Sequence, residues 1–362
     1  MTTVYIEQRD APTHLPHALV FWPNFKFELS PKRLFLREIM EQYTEPFFTI
    51  VERPEEAEFF AVPFEYFFVQ KEHPEYLTRV FASAAAVQKK VLLFDYTDYV
   101  DWMPPLPSHA ILFRVSAYRH HKRHSEIVMP YFVEDMGLRY GIGPRQKGES
   151  CVIGYCGQSQ FGSPTKAFRA RLKWLAYAIL LLLSGDANCA SHRRGIFWRK
   201  AALRLLRTEG LASRIIERPF YALHRFSNAF DPKAVRREYV ENLRECGLAL
   251  CVRGDANASQ RLYEALSARR IPLLVDTDCM LPLEEIIDYD AALLRVPARE
   301  LAALPARVRS WWQEETPESF LARGARARDI YERYLRLDRF FAQVFDRERS
   351  PYRQLLFGRK SV

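Results

Sequence analysis

Arg253, Gly254, Ser259, Arg261 and Glu264 fall in one short stretch of the chain, and their types suit an anion. Glycine lets a ligand approach the backbone closely. Arginine gives a two-pronged bond to phosphate. Ser259 stands where a helix would begin, its hydroxyl placed to satisfy a free amide of the first turn. The same helix start offers unpaired amides and a positive dipole end. Arg261 and Glu264 are three residues apart and so share a helix face. A carboxylate there is suited to accepting both hydroxyls of a ribose. An ordinary surface ion pair also satisfies this spacing, and the pattern alone leaves both readings open.

The flanking residues supply the elements that must position this group. Residues 248–252 are an apolar run of strand length, and 253–257 break it with turn chemistry. Leu262, Ala265 and Leu266 lie at helical spacing, and residues 271–275 form a second apolar run. A strand, helix and strand this close together form a right-handed parallel unit. Ligands of such sheets lie beyond the carboxyl ends of the strands, so the 253–259 loop faces a ligand crevice.

The rest of the chain repeats this alternation. Strands are expected at 18–21, 47–51, 59–62, 91–94, 111–115 and 127–129, with helices at 31–43 and 74–88. Pro63 is expected to stop the third of these strands. Such alternation predicts an α/β domain with a mostly parallel sheet. A connection over 135–150 is rich in glycine, and a second α/β domain begins at Cys151. From Ala298 onward the pattern is helical, with Trp311, Trp312, Phe320, Tyr331 and Tyr334 as packing residues. The longest apolar run, 175–183, falls short of the roughly 18–20 residues that cross a bilayer and reads as a buried helix. The first ten residues are polar and no secretory leader is evident. The six cysteines show no Cys-x-x-Cys pair, so free thiols are expected and a structural zinc site is not.

Further segments resemble the exostosin-like glycosyltransferases. Val252-Arg253-Gly254, the run from Ser259 through Arg261 and Glu264 to Ala265, Ile271-Pro272 and Leu281-Pro282 resemble that family's donor-binding segment. Arg269-Arg270 departs from it, as a change in the turn. Residues 53–64, RPEEAEFFAVPF, resemble a second family segment; Ser125–Tyr131 and Val152–Gly157 resemble strands that close the first domain and open the second. The resemblance implies an inverting enzyme of the GT-B fold: two Rossmann-like domains facing across a cleft, with carboxyl-terminal helices crossing back. The implied division is 1–145 for the acceptor, 151–316 for the nucleotide-sugar donor, and 317–362 for the returning helices.

Roles follow by implication. Arg253, Gly254, Ser259 and Arg261 would hold the diphosphate, Glu264 the ribose, and Gly157 and Gln158 would line the donor cleft. The base that deprotonates the acceptor is sought at strand ends of the first domain, in Glu65, Asp95 or Asp98. No cofactor and no metal are expected. The Asp276-Thr277-Asp278 run is read as structural. His120, His121 and His124 are read as a solvated or acceptor-contacting loop, because Arg119, Lys122 and Arg123 would repel a cation.

Charge is uneven. Residues 166–207 hold ten Lys or Arg and one acid, an excess equal to the chain's net +9. A basic nucleic-acid binder is one reading, but no accompanying motif supports it. Arg193, Arg194, Arg199 and Lys200 are instead expected to meet an anionic membrane surface or the acceptor; a solvated basic face is the plain alternative. The expected activity is transfer from a nucleotide sugar, UDP-linked by the resemblance, to a glycan or lipid-linked glycan acceptor. Bacterial surface polysaccharide or lipopolysaccharide assembly, in the cytoplasm or on the inner face of the membrane, fits such an enzyme. A catalytically inactive binding protein of the same fold is the competing class.

Overall fold

The computed structural model describes residues 1–29, 35–185, 188–211, 213–220 and 231–358. Its first half is a sheet of six parallel strands: β1 (Thr2–Tyr5), β2 (Phe48–Val51), β3 (Phe59–Glu65), β4 (Lys90–Asp95), β5 (Ala110–Arg114) and β6 (Glu126–Val128), in the order β2-β1-β3-β4-β5-β6. The second is a sheet of five: β7 (Ile153–Gln158), β8 (Ser213–Arg218), β9 (Leu248–Val252), β10 (Ile271–Asp276) and β11 (Leu294–Pro297), ordered β11-β10-β9-β7-β8. Every pair within these sheets is parallel. Near-continuous apolar runs such as AILF in β5 and LALCV in β9 are fully buried, as strands covered on both faces must be.

Seven helices matter for the site and its support. These are α1 (Pro74–Ala86), α2 (Pro164–Leu183), α3 (Gly195–Thr208), α4 (Pro232–Glu245), α5 (Gln260–Ser267), α6 (Pro317–Ile330) and α7 (Leu337–Val344). The two parallel sheets and the returning helices that the resemblance implies are present. In α7, Phe341 packs on Phe47, Phe48, Phe94 and Phe113 of the first half. Arg328 of α6 ion-pairs with Asp135 at 2.5 Å and donates to the Ser267 carbonyl at 2.6 Å. Helix α7 thus packs against the first sheet.

Several local expectations are corrected. Residues 18–21 are not a strand; Leu19–Phe21 is a 3-10 turn, anchored by the Ala18 amide donating to the Pro63 carbonyl at 2.7 Å. Pro63 does not stop β3. The strand runs on to Glu65, and its ladder with β4 shifts register between Ala61 and Glu65, where proline has no amide to give. β1 was missed because Thr-Thr-Val-Tyr lacks an apolar run, although Val4 is wholly buried. Of the expected 31–43 helix, residues 31–34 lie outside the described residues and a helix occupies Leu36–Met40.

The largest correction concerns α2. Its apolar run is not buried: Phe168, Leu172, Leu175, Ile179, Leu180, Leu182 and Leu183 are all exposed, and Ala170 alone of its residues is buried. Ala167, Ala170, Trp174, Tyr177, Ala178 and Leu181 make the face turned toward the protein. Hydropathy alone cannot separate a buried helix from one whose outer face is also apolar.

Candidate functional site

A cleft of about 930 Å³ opens between the two sheets. The first half contributes Phe35, Tyr96, Asp98 and Tyr131; the second contributes Tyr155 to Gln158, the Gly254–Asp255 turn and the start of α5. In the second sheet the chain leaves β7 for β8 on one side and lies beside β9 on the other. The space between the carboxyl ends of β7 and β9 is therefore a topological switch point, where α/β sheets bind ligands.

α5 begins at Gln260, with Ser259 as its extended N-cap residue. The Ser259 side chain makes no capping bond, contrary to expectation, and the Leu262 amide of the first turn donates to the Ser259 carbonyl at 3.0 Å. Arg261 reaches across the floor. Its guanidinium lies 4.4 Å from the Tyr155 ring centroid and 5.4 Å from that of Tyr239. It donates to the Cys156 carbonyl and, at 3.4 Å, to that of Leu250. Its buried Nε has no partner among the described residues. A Cβ at Gly157 would come within 2.9 Å of Arg261 Nη2, so this glycine makes room for the arginine.

Glu264 is also on the wall and buried. It accepts a hydrogen bond from the Tyr239 hydroxyl, and Arg236 stands 3.5 Å from its Oε1. Arg236 in turn pairs with Glu134. The Arg261–Glu264 surface pair considered from the sequence is not made. Each residue is held by other partners with its side chain at the cleft.

Arg253 is placed differently from the expectation. It is buried outside the cleft wall, donating to the Tyr118 hydroxyl at 2.9 Å and to the carbonyls of Ser191 and Asp255 at 2.6 and 2.7 Å. Its work is to fix the loop, and Gly254 alone of that pair borders the cleft. Gly195 completes the arrangement and had no signal in the sequence. Its amide donates to the Gly254 carbonyl at 3.1 Å, and a Cβ there would come within 2.0 Å of the Arg253 carbonyl oxygen.

The basic segment does not form one outward face. Arg194 and Arg199 line the cleft together with Lys166, Arg169 and Lys173. Arg194 makes a forked pair with Asp255 at 3.0 and 3.1 Å, and Arg199 donates to the Gln158 carbonyl at 3.0 Å. Arg193 is folded over the Phe197 and Trp198 rings, and Lys200 is exposed. Arg218, Arg236 and Arg261 bring the cationic lining to eight, against Asp98, Asp255 and Glu264. An anionic ligand suits such a wall.

Among the three candidate bases, only Asp98 borders the cleft, and it is exposed. Glu65 and Asp95 are buried beneath it. Asp95 pairs with the buried Arg114 at 3.1 Å. Burial, reinforced by the nearby Asp95 charge, pushes the Glu65 carboxyl up to about 8. A raised carboxyl binds its proton more tightly in the folded state, so the stability linked to it is full below about 4.5 and falls as pH rises through about 8. Glu65→Gln is therefore expected to gain melting temperature over wild type progressively across that window and to keep its turnover. A constant offset between the two melting curves from pH 4.5 to 8 would contradict the buried neutral carboxyl.

Asp276 and Asp278, read as structural, are engaged away from the cleft. Asp276 pairs with Arg295 at 2.9 Å and caps the Cys279 amide; Asp278 pairs with His120. All six cysteines are free, and Cys251 and Cys279 are buried.

Residues 210–311 match the family model of the Exostosin GT47 domain. The match contains α5, Arg261 and Glu264. No curated protein sequence matches the chain. Among solved structures, the crystal structure of Anabaena Alr3699/HepE in complex with UDP aligns at 9% identity, with a TM-score of 0.36, over 92% of this chain and 96% of that one. The spinosyn rhamnosyltransferase SpnG complexed with thymidine diphosphate aligns at 11% identity, with a TM-score of 0.33, over 92% and 96%.

Proposed function

We propose, from the match of residues 210–311 to the Exostosin GT47 domain model and the cationic cleft, that this cleft binds a nucleotide-sugar donor, UDP-linked, and passes the sugar with inversion to a glycan hydroxyl. The observation that carries the proposal is the start of α5 at the switch point together with Arg261, whose buried Nε has no partner among the described residues, in a cleft lined by eight cationic side chains. A diphosphate leaving group develops negative charge as the glycosidic bond breaks, and preorganised donors there lower the barrier. Glu264, oriented by Tyr239 and Arg236, is placed for the ribose. Asp98 approaches from the opposite half as the base. The experiment is donor hydrolysis and transfer by the full chain with a panel of nucleotide sugars, with UDP-dependent stabilisation measured alongside. Stabilisation by UDP without hydrolysis or transfer on any acceptor would favour the binding-protein reading.

The acceptor reading is refined by α2. Phe168, Leu172, Leu175, Ile179 and Leu183 fall on one stripe of the helix, 49–80% exposed. Lys166, Arg169, Arg171 and Lys173 flank it, and the helix carries no acid. No described helix is long and apolar enough to cross a membrane. An apolar stripe with basic flanks lies in the headgroup region of an anionic bilayer. Lys166, Arg169 and Lys173 also line the cleft, so this pose brings the cleft mouth to a lipid-linked acceptor. α2 thus replaces the Arg193–Lys200 segment as the proposed membrane contact. Leu175→Asp/Ile179→Asp is expected to abolish sedimentation with phosphatidylglycerol vesicles while donor hydrolysis persists. Undiminished vesicle binding, or wild-type protein that ignores these vesicles, would remove the proposal.

A further inference from the structure

His120, His121 and His192 bring their ring nitrogens within 4.8 Å of one another at the junction of the two halves, outside the cleft wall. His120 and His121 follow β5 of the first half, and His192 precedes α3 of the second. We propose that these three histidines bind a zinc-class divalent ion that fastens the halves together.

Ring orientation is the first argument. His120 Nδ1 is paired with Asp278, and His192 Nδ1 lies 2.6 Å from Asp101 Oδ1. A carboxylate at Nδ1 fixes the proton there and turns Nε2 into a ligand atom. The two Nε2 atoms face each other at 3.4 Å. Zinc–nitrogen bonds of about 2.0–2.1 Å in tetrahedral geometry require an N···N edge of about 3.4 Å. His121 supplies the third nitrogen, its ring centroid 4.1 Å from that of His120 and 5.4 Å from that of His192. Three neutral imidazoles suit zinc better than a hard oxygen-seeking cation.

Charge is the second argument. The cations that counted against a metal in the sequence are each neutralised in the fold. Arg119 pairs with Glu284 at 2.7 Å, Lys122 with Glu285 at 3.6 Å and Arg123 with Glu126 at 2.6 Å. Asp101 and Asp278 add negative charge behind the ligands. His124, grouped with the others by sequence, is exposed and outside the cluster; His192 takes its place from far along the chain.

The supports are exchanged between the halves. Asp278 of the second half orients His120 of the first, and Asp101 of the first orients His192 of the second. A bound ion therefore closes a ring of contacts that opening of the two halves must break. Asp101 lies three residues after Asp98, so the same ion steadies the loop that carries the proposed base. Tyr118, whose ring lies 4.3 Å from that of His192, passes the constraint to Arg253 and the cleft turn.

The test uses full-length protein stripped with a chelator and titrated with zinc chloride by calorimetry. It is repeated with cobalt(II), whose visible absorption reports a tetrahedral nitrogen site. Wild type is expected to bind tightly, gain melting temperature and show the cobalt bands. His192→Ala and the exposed His121→Ala are each expected to weaken zinc binding more than about tenfold, and Asp101→Asn by about 10- to 100-fold. His14→Ala, in the separate His14–Glu72–His73 group, is expected to leave the cobalt spectrum unchanged. Circular dichroism of the apo variants shows whether each retains the fold. Absence of cobalt bands in wild type overturns the proposal. So does zinc affinity unchanged by both folded histidine variants, or lost only with His14.

Discussion

Asp98→Asn is expected to lower turnover by about 10²- to 10⁴-fold with donor affinity nearly unchanged. The side chain stands on the cleft wall just beyond β4, on the half opposite Arg261 and Glu264. In the proposed inverting transfer, a base there would meet an acceptor hydroxyl as it attacks the sugar from the face away from the diphosphate. Amidation removes the proton acceptor and preserves shape, so the loss belongs to the chemical step. Single-turnover transfer with saturating donor, beside calorimetric binding of UDP, separates the two quantities. Equal loss in both would place Asp98 in donor binding, and normal turnover would dismiss it. Glu65 serves as the internal comparison. It was an equal candidate in sequence, but its carboxyl is buried away from the cleft and raised to about 8, so Glu65→Gln is expected to turn over normally.

Arg261→Ala is expected to weaken UDP binding by about 100-fold, or close to 2.7 kcal/mol, the scale of charge-assisted bonds to a phosphate. The guanidinium lies beside the Tyr155 and Tyr239 rings and donates to two carbonyls, and its buried Nε has no partner among the described residues. Arg261→Lys keeps the charge but not the fork or the stacking, and is expected to recover only part of the affinity. Glu264→Ala is expected to lose less, with discrimination between UDP and inorganic diphosphate reduced because the proposed ribose contact is removed. Because Arg261 also ties β7 to β9, the melting temperature of each variant without ligand must accompany the affinities. Binding of UDP unaffected in a folded Arg261→Ala protein would refute the proposed donor site.

The strand–turn–helix–strand unit around Arg261 was legible because its signals are local. LALCV and IPLLV are buried on both faces and so read as continuous apolar runs, and the intervening turn is polar. Burial of that kind is written into consecutive residues. The same reasoning failed for β1 and for β8, whose Ser-Arg-Ile-Ile-Glu-Arg sequence belongs to an edge strand of the second sheet. It also misassigned residues 175–183, since an apolar helix face looks alike whether protein or something else is to cover it.

What the sequence determined by itself was a group of residues that reaches the cleft and the elements that carry it: Gly254, Ser259, Arg261 and Glu264 on a parallel crossover, with a basic segment upstream. Those depend on neighbours within a few residues, where spacing converts directly into a shared face or a shared loop. What the tertiary structure decided was the direction in which each group points and the partners it meets. It turned Arg253 out of the cleft and onto Tyr118, put Arg194 and Arg199 into the cleft lining, buried Glu65 and Asp95, and left Asp98 on the wall. It brought His192 to His120 across 72 positions of chain. Such contacts arise from how two sheets stack and where the final helices return, and no local spacing encodes them.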